Sequence, residues 1–301
     1  MKKIITYVVL FLLVLPMLSS GQRLRNRWKS TRAEVHFGIG ATNFLGELGG
    51  ANQIGTHYFK DFEFSQTRLA LCAGYRYKIT SGLAVNTNLS YGQLAGNDNL
   101  TTEFFRSYRN LSFKSDIFEL ASNMEFSIIK DQVGHRYRLK GVRGQRGFEM
   151  AVYAFLGVGV FHFNPKAQLS EGGSYVDLQP IGTEGQGVVA TRKKYSRLQM
   201  AFPIGIGFKY TLDRRWGIGL EYGLRYTFTD YIDDVSKTYV DPSLFTDPVA
   251  KALADRSDHS YYYITSSGAQ RGDPRHKDAY MFAIFNINYK LRTGRTSYPL
   301  F

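Results

Sequence analysis

Apolar and polar residues alternate along much of the chain, and this two-residue period predicts β-strands rather than amphipathic helices. In the segment 215–229, bulky side chains from Trp216 to Phe228 take every second position, between Gly, Thr and charged residues. The strand 148–163 is apolar on both faces, so alternation does not orient it. The pattern, strong or weak, predicts eight strands, over 33–41, 68–77, 83–91, 117–128, 148–163, 199–211, 215–229 and 279–291.

Eight such strands can close into a barrel, and three features favour a barrel that spans a membrane. Several strands have 10–15 residues, whereas strands of soluble proteins usually have about 5–6. The positions opposite the bulky face hold Gly, Ala, Ser and a few charges, which suits a narrow polar lumen. Trp216 begins one strand and Phe228 ends it, as interfacial aromatic girdles require. Pro203 is a mild objection, because it cannot donate a ladder hydrogen bond.

The connections between the predicted strands alternate in length. Those over 42–67, 92–116, 164–198 and 230–278 are long, and those between them over 78–82 and 212–214 are short. The connection 129–147 breaks the alternation, because it is long at a position where a short turn is expected. Outer-membrane barrels have long loops outside and short turns in the periplasm. The predicted fold is therefore an all-β, eight-stranded antiparallel transmembrane barrel with four long extracellular loops and one long periplasmic turn. In the last loop, Asp247-Pro248 predicts the start of a helix.

The first residues have the order of a secretory signal peptide. Lys2 and Lys3 precede an apolar run of 12 residues over 4–15, and small residues follow it. This run is too short to span about 30 Å of hydrocarbon. The predicted outer-membrane protein has both termini in the periplasm and four parts: signal peptide 1–21, basic segment 22–32, barrel 33–291 and periplasmic tail 292–301.

Composition sharpens this picture in two ways. The 22 Phe and 21 Tyr fit lipid-facing strands and aromatic girdles. The formal net charge is +13, and the excess of cations falls on segments predicted to be periplasmic. We expect either anionic headgroups or an acidic periplasmic protein to bind these segments, and the compartment excludes nucleic acid. The candidate partner-binding residues are Arg136, Arg138, Lys140, Arg143 and Arg146 of the long turn, with Arg23, Arg25 and Arg27.

Charged residues also occur on the face predicted to line the lumen. They are Arg68, Arg76, Arg225, Glu119, Glu125 and Glu221. One interpretation is a charged pore, and the other is a salt-bridge network that fills the barrel. The second is favoured, because eight strands enclose little more than their own side chains and unpaired buried charges are costly.

Candidate catalytic chemistry is sparse. The chain has one Cys and six scattered His, without metal-ligand spacing or a known nucleophile or nucleotide motif. We therefore predict no enzymatic activity, no cofactor and no metal. A lipid hydrolase with a dispersed Ser/His/acid set remains an alternative, because geometry decides such cases. Arg271-Gly272-Asp273 matches a cell-adhesion tripeptide and is interpreted as a turn.

Several short stretches follow one another in a recognisable order. They are Asn43 to Gly50, Arg109 to Phe113, Gly134 to Arg138, Phe161 to Lys166, Asp230 to Ser236 and Arg271 to Pro274. Together they resemble the PorG family of outer-membrane barrels in the type IX secretion system. The resemblance implies a barrel that ties a periplasmic ring of PorK and PorN to the outer membrane. That system exports folded proteins and in some bacteria supports gliding motility. A small outer-membrane channel, or a barrel of another role, is the alternative.

Overall fold

A computed structural model describes residues 31–48, 64–130, 150–170, 172–213 and 215–291. These residues contain nine β-strands in one antiparallel sheet. The strands are β1 Ala33–Leu45, β2 Arg68–Lys78, β3 Leu83–Asn97, β4 Ser112–Ile129, β5 Met150–Gln168, β6 Tyr175–Asp177, β7 Leu198–Thr211, β8 Trp216–Thr227 and β9 Ala279–Leu291.

Eight of these strands close into a ring. Each pairs with its neighbours in chain order, β5 pairs with both β4 and β7, and β1 pairs with β9 from Ala33–Leu291 to Leu45–Ala279. The short β6 pairs only with the end of β5, at Lys166 to Gln168. The chain is therefore a closed eight-stranded antiparallel barrel, as the alternation predicted.

Four strands run at least four residues further than the sequence pattern predicted, and β1 is one of them, since it continues to Leu45. The hairpin of β3 and β4 pairs up to Asn97 and Ser112, and β5 continues to Gln168. Leu94 and Ala95 are adjacent in β3, yet both are buried. Burial therefore stops alternating at this point of β3, whereas it still alternates in the extended parts of β4 and β5.

The outer face of the ring carries exposed apolar side chains. Phe37 is 67% exposed, and Leu89, Phe118 and Ile206 are exposed in the same way on other strands. The inward positions include buried charged and polar residues, such as Arg76. A soluble barrel has the opposite arrangement, so this distribution defines a transmembrane barrel.

The structure orients β5 and accommodates Pro203. Tyr153 and Phe161 of β5 point inward and are buried, whereas Leu156 and Val160 point outward and are exposed. The β5–β7 register pairs Leu156 with Ile204 and resumes at Gly159 with Ala201. Pro203 lies in this gap, where its missing N–H removes no ladder hydrogen bond on the β5 side.

The two ends of the barrel differ. At one end, called the turn end, the connections 79–82 and 212–215 are short, and β1 begins and β9 ends there. Trp216 and Tyr289 pack at the turn end with ring centroids 4.7 Å apart. Towards the other end, Phe202 and Phe228 pack at 5.3 Å. Aromatic rings on the outside near both ends are typical of membrane interfaces.

The described loops at the opposite end form a structure that we call the cap, made of 46–48, 98–111, 169–197 and 228–278. It contains four short helices, Phe104–Arg109, Leu178–Ile181, Pro248–Ala254 and Tyr262–Thr265. The helix predicted after Asp247-Pro248 is confirmed, and the Asp247 carboxylate accepts a hydrogen bond from the Val249 N–H at 2.8 Å. No helix in the described ranges is long and apolar enough to cross a membrane.

One apolar cluster joins the cap to the barrel. Leu48 and Ile232 of the cap pack in the same buried cluster as Phe163, Tyr280 and Phe282 of the strands. Because this cluster lies across the loop end of the lumen, the cap is a continuation of the barrel core.

Candidate functional site

The lumen contains a network of charges centred on Arg76 of β2. Its Nε donates to both carboxylate oxygens of Glu125, at 2.9 and 2.7 Å. Its two Nη atoms donate to Glu221 at 2.8 Å, to Glu34 at 3.4 Å and to the Tyr153 hydroxyl at 3.0 Å. Asn288 Oδ1 of β9 also accepts from this guanidinium at 3.0 Å. The partners come from five other strands, so one guanidinium links six strands across the lumen.

Glu34 extends the network towards the turn end. Its carboxylate pairs with Lys209 at 2.7 Å and with Lys78 at 3.1 Å. Lys290 donates to the Thr211 hydroxyl at 3.1 Å. These residues were missed by the sequence analysis, although their positions in the two-residue period place them on the inward face. Extending the list of inward charges to the strand ends would have found them.

A second charge pair lies nearer the cap. Arg225 of β8 donates through Nε to the Glu119 carboxylate of β4 at 3.3 Å, and its guanidinium lies 4.6 Å from the centre of the Phe282 ring. The Tyr280 hydroxyl donates to Glu119 at 2.6 Å. Phe161 completes an aromatic layer, with its ring 5.3 Å from that of Tyr280.

The remaining predicted lumen residue, Arg68, lies apart from the network around Arg76 and from the Arg225–Glu119 pair. It is at the start of β2, on the rim beside the cap, and it donates to the Ser65 carbonyl at 3.1 Å and to Gln66 Oε1 at 3.3 Å. The structure thus brings Arg76, Glu125 and Glu221 together, pairs Arg225 with Glu119 and leaves Arg68 in a local loop contact.

Small and polar residues fill the space between the two charge clusters. His36 Nε2 and Asn88 Oδ1 are 2.9 Å apart, and a Cβ added to Gly74 would lie 2.2 Å from that Asn88 oxygen. The Cys72 thiol faces inward and accepts a hydrogen bond from the Ser90 hydroxyl at 3.6 Å. The lumen is crowded enough that a single methyl group at Gly74 would clash.

Carboxyl groups cluster in the cap beside its contact with the barrel. Asp233 accepts from the Leu48 N–H at 3.3 Å, and Asp278 accepts from the Ile232 N–H at 2.8 Å. Burial, with the neighbouring carboxyls of Glu47 and Asp230, raises the pKa of Asp233 well above its ordinary value. Burial raises the pKa of Glu47 to about 7 and that of Asp230 to about 8. This cluster can hold protons at neutral pH.

Two arginines of buried ion pairs connect the cap loops, Arg109 through a backbone carbonyl of another loop and Arg271 through its ion pair. Arg109 donates to Asp98 at 2.8 and 3.1 Å and to the Arg271 carbonyl at 2.7 Å. Arg271 donates to Glu184 at 3.1 Å. Arg271 is 3% exposed, so the Arg271-Gly272-Asp273 tripeptide cannot present its guanidinium to an adhesion receptor.

The described residues contain one Ser/His/acid group that invites comparison with a hydrolase. In the cap, Ser257 Oγ lies 3.4 Å from Nδ1 of His259, and an Asp255 carboxylate oxygen lies 3.4 Å from the same nitrogen. A catalytic relay needs the acid and the nucleophile on opposite ring nitrogens. This group therefore lacks relay geometry. Within the described ranges, no group of three or more His, Cys, Asp or Glu could hold a metal ion.

The predicted partner-binding cations lie outside the described residues. Arg23, Arg25 and Arg27 precede residue 31, and Arg136 to Arg146 fall between 130 and 150.

The fold and the filled lumen together define the class of this protein, an outer-membrane-type β-barrel of eight strands. The chain belongs to the family described as a domain of unknown function (DUF6089), whose model matches residues 9–242. A comparison with curated proteins found no match.

Solved structures similar to the chain include small barrels of bacterial outer membranes. Neisserial surface protein A is 6% identical over 86% of this chain and 97% of its own, with a TM-score of 0.40. Ail, the attachment invasion locus protein of Yersinia pestis, is 8% identical over 86% and 97%, with a TM-score of 0.37. The outer membrane protein OprG from Pseudomonas aeruginosa is 10% identical over 87% and 98%, with a TM-score of 0.33.

Proposed function

We propose that this protein is a non-enzymatic outer-membrane barrel that anchors the periplasmic ring of a type IX secretion machine. The observation that carries the proposal is the occupied lumen, in which Arg76 joins Glu34, Glu125 and Glu221 at 2.7–3.4 Å. An eight-stranded barrel filled by its own side chains suits a structural role better than conduction.

The proposed orientation places the cap outside the cell and the turn end in the periplasm. Outer-membrane barrels have long external loops and short periplasmic turns, and the turns 79–82 and 212–215 are the short connections of this chain. In this orientation, the basic segments 22–32 and 131–149 lie in the periplasm.

The ring proteins PorK and PorN are the proposed partners, as the resemblance to the PorG family implies. Under this proposal, Arg136, Arg138, Lys140, Arg143 and Arg146 of the long turn form the main docking surface. Arg23, Arg25 and Arg27 extend it from the N-terminal segment. Clustered positive charge steers the approach of an acidic protein surface. Anionic lipid headgroups at the inner leaflet are the competing ligand for the same cations.

A charge-reversal experiment tests the docking role. Arg136, Arg138, Lys140 and Arg143 are changed to Glu in the full chain, which is then purified from native outer membranes. The expected result is an inserted barrel that no longer co-purifies with the ring proteins. The matched control reverses four exposed cations of the cap, Lys193, Lys237, Lys251 and Arg275.

If the ring proteins still co-purify after the charges of the turn are reversed, docking through the turn is contradicted. If the control variant loses the ring proteins equally, the loss cannot be assigned to the turn. Conductance in planar bilayers separates the anchor from the channel alternative. A barrel filled by side chains is expected to give no steady conductance, so open channels in the purified wild type would favour the channel.

A further inference from the structure

The cap contains a cavity that anchoring does not use. It lies between the segment 45–47, the helix Phe104–Arg109 and the loop 228–278, and its volume is about 550 Å³. Small-molecule pockets in proteins usually measure about 300–1,000 Å³. The cavity is therefore large enough for a small ligand, and the proposed orientation places it on the outside of the cell.

The guanidinium groups around the cavity already have anionic partners. Arg109 donates to both carboxylate oxygens of Asp98, and Arg106 Nε lies 3.5 Å from the same carboxylate. Arg271 pairs with Glu184 at 3.1 Å. Because each of these guanidinium groups is already engaged by a carboxylate within the cap, the described lining has no open arginine cluster of the kind that selects phosphate or carboxylate ligands.

The acidic groups of the lining are equally unsuited to a cation. Glu103 accepts hydrogen bonds from the N–H groups of Phe105 and Arg106 at 3.2 and 2.7 Å, at the start of the helix. Asp273 Oδ2 lies 2.9 Å from His276 Nδ1. Burial raises the pKa of Glu47 to about 7, so this carboxyl is partly protonated near neutral pH. Lys277, a further cation of the lining, is exposed and donates to the Pro274 carbonyl at 3.1 Å. Because the arginine and acidic side chains described here are already engaged or partly protonated, the cavity favours an uncharged ligand.

One polar group of the lining has no hydrogen-bond partner among the described residues. Tyr239 is 4% exposed, and its hydroxyl is buried without a hydrogen bond to any described residue. Burial raises the pKa of this phenol to about 12, so the hydroxyl keeps its proton at neutral pH. A buried hydroxyl without a partner is unfavourable. A ligand oxygen that reached it would remove this penalty.

Aromatic rings stand at the exposed side of the cavity. Phe105 is 58% exposed and Tyr263 is 70% exposed. Phe104 supports Phe105 at a centroid distance of 5.6 Å, and Tyr261 supports Tyr263 at 6.3 Å. An exposed ring face beside converging polar groups suits a ligand that is apolar on one face and carries hydroxyl groups at its edges.

We propose that this cavity binds a neutral saccharide, with a sugar face against the rings of Phe105 and Tyr263 and a sugar oxygen bonded to the Tyr239 hydroxyl. A peptide is the competing ligand. An extended peptide that adds a strand needs a free sheet edge. The barrel ring is closed, and β6, which pairs with β5 at the edge of the sheet, does not line the cavity, which makes the saccharide the better fit. Saccharide binding is independent of ring anchoring, because the cap and the turn end lie at opposite ends of the barrel.

Saturation-transfer NMR on the full chain tests the proposal, in a detergent without a sugar headgroup, such as lauryldimethylamine oxide. The probes are glucose, rhamnose, N-acetylglucosamine and maltose, with glucuronate and a capped Gly-Tyr-Gly peptide for comparison. At least one neutral saccharide is expected to receive saturation and to be displaced by its own excess. Binding of none of the four, or preferential binding of glucuronate or the peptide, would overturn the proposal.

Two neighbouring tyrosines provide a matched pair of variants. Tyr263 lines the cavity, whereas Tyr262, which is 65% exposed, lies outside the lining. The Tyr263→Ala variant is expected to bind the saccharide at least about fivefold more weakly, since aromatic contact contributes binding energy of this order. Tyr262→Ala is expected to bind as the wild type does. Equal losses in the two variants would contradict the assigned cavity.

The Tyr239→Phe variant separates binding from folding. The hydroxyl has no partner in the described chain, so its removal is expected to leave the thermal midpoint of unfolding unchanged or slightly raised. Affinity for the saccharide is expected to fall about tenfold, the size of one hydrogen bond. Unchanged affinity, with or without a change in stability, would contradict the role of Tyr239.

Discussion

The lumen and the carboxyl cluster of the cap both bury acidic side chains, but the lumen pairs them with cations and the cluster gathers them beside one another. In the lumen, Arg76 is surrounded by the carboxylates of Glu34, Glu125 and Glu221 within 3.4 Å. In the cap, the carboxyls of Asp233 and Asp278 accept hydrogen bonds from backbone N–H groups, and burial together with neighbouring carboxyls raises the pKa of each well above its ordinary value.

This difference assigns the two regions different physical roles. Opposite charges from five strands hold the lumen together, and removing one partner leaves the others buried without compensation. In the carboxyl cluster of the cap, burial and, after it, neighbouring like charges favour the protonated form, so folding of the cap is coupled to pH. We expect the barrel to be the rigid part of the protein and the cap to be the part whose stability changes with pH.

The largest expected effect is the loss of Arg76. The Arg76→Met variant is expected to lose about 3–5 kcal/mol of unfolding free energy, because three buried carboxylates lose their common partner. Urea unfolding followed by fluorescence measures this loss. The Arg68→Met variant at the rim is the control and is expected to lose at most about 1 kcal/mol. Adding Glu125→Gln and Glu221→Gln to Arg76→Met is expected to restore part of the stability. Similar urea midpoints for the Arg76→Met and Arg68→Met variants would refute the central role of Arg76.

Breaking the buried pair of the cap is expected to have a smaller and local effect. In the Arg271→Leu variant, Glu184 keeps its backbone partners, the N–H groups of Ser236 and Lys237, but loses its cation. An opening free energy lower by about 2–3 kcal/mol is expected in the cap alone, from hydrogen exchange. Arg275→Leu, at an exposed neighbouring position, is the control. Faster exchange in the strands would contradict the separation of the two regions.

The pH dependence of the cap tests the comparison directly. The pKa of Glu47 is about 7 and that of Asp230 is about 8 in the folded chain, above their ordinary values. The folded cap therefore binds more protons than the unfolded one, so its stability is greatest below about pH 4 and falls as the pH rises towards about 8. Hydrogen exchange at about pH 5 and about pH 9 measures the change.

The Asp230→Asn variant is expected to flatten this slope, because the amide does not titrate. The control is Asp258→Asn, an exposed aspartate of the cap, which is expected to keep the slope of the wild type. A cap that became more stable as the pH rose would contradict the raised pKa values.

The smallest expected effect concerns a part of the cap without a buried charge. Replacing Asp247 by Ala removes the hydrogen bond to the Val249 N–H and is expected to destabilise the helix Pro248–Ala254 by about 1 kcal/mol. Exchange rates of the amides in that helix measure it. Lys251→Ala in the same helix is the comparison, expected within about 0.5 kcal/mol of the wild type. A larger loss for Lys251→Ala would show that capping does not limit this helix.

The strands could be predicted from the sequence because the two faces of the sheet meet different environments, so apolar and polar residues alternate along each strand. The prediction ended early in β3, where Leu94 and Ala95 are both buried, and in β5, where outward positions such as Lys166 are polar. The inward side of β5 could not be predicted, because its inner Phe161 and its outer Val160 are both apolar. Pro203, an objection from sequence, lies at a gap in the ladder that only the register reveals.

The sequence by itself determined the barrel, its membrane-facing surface and the inward charges, because alternation depends only on neighbouring residues along one strand. Which charges meet was decided by the tertiary structure, since Arg76 and Glu221 are 145 positions apart and touch only when the ring closes. The tertiary structure also left Arg68 at the rim, gathered the cap carboxyls and formed the cavity at Tyr239. Loops carry no period, so their contacts follow from the packing of distant segments and not from local pattern.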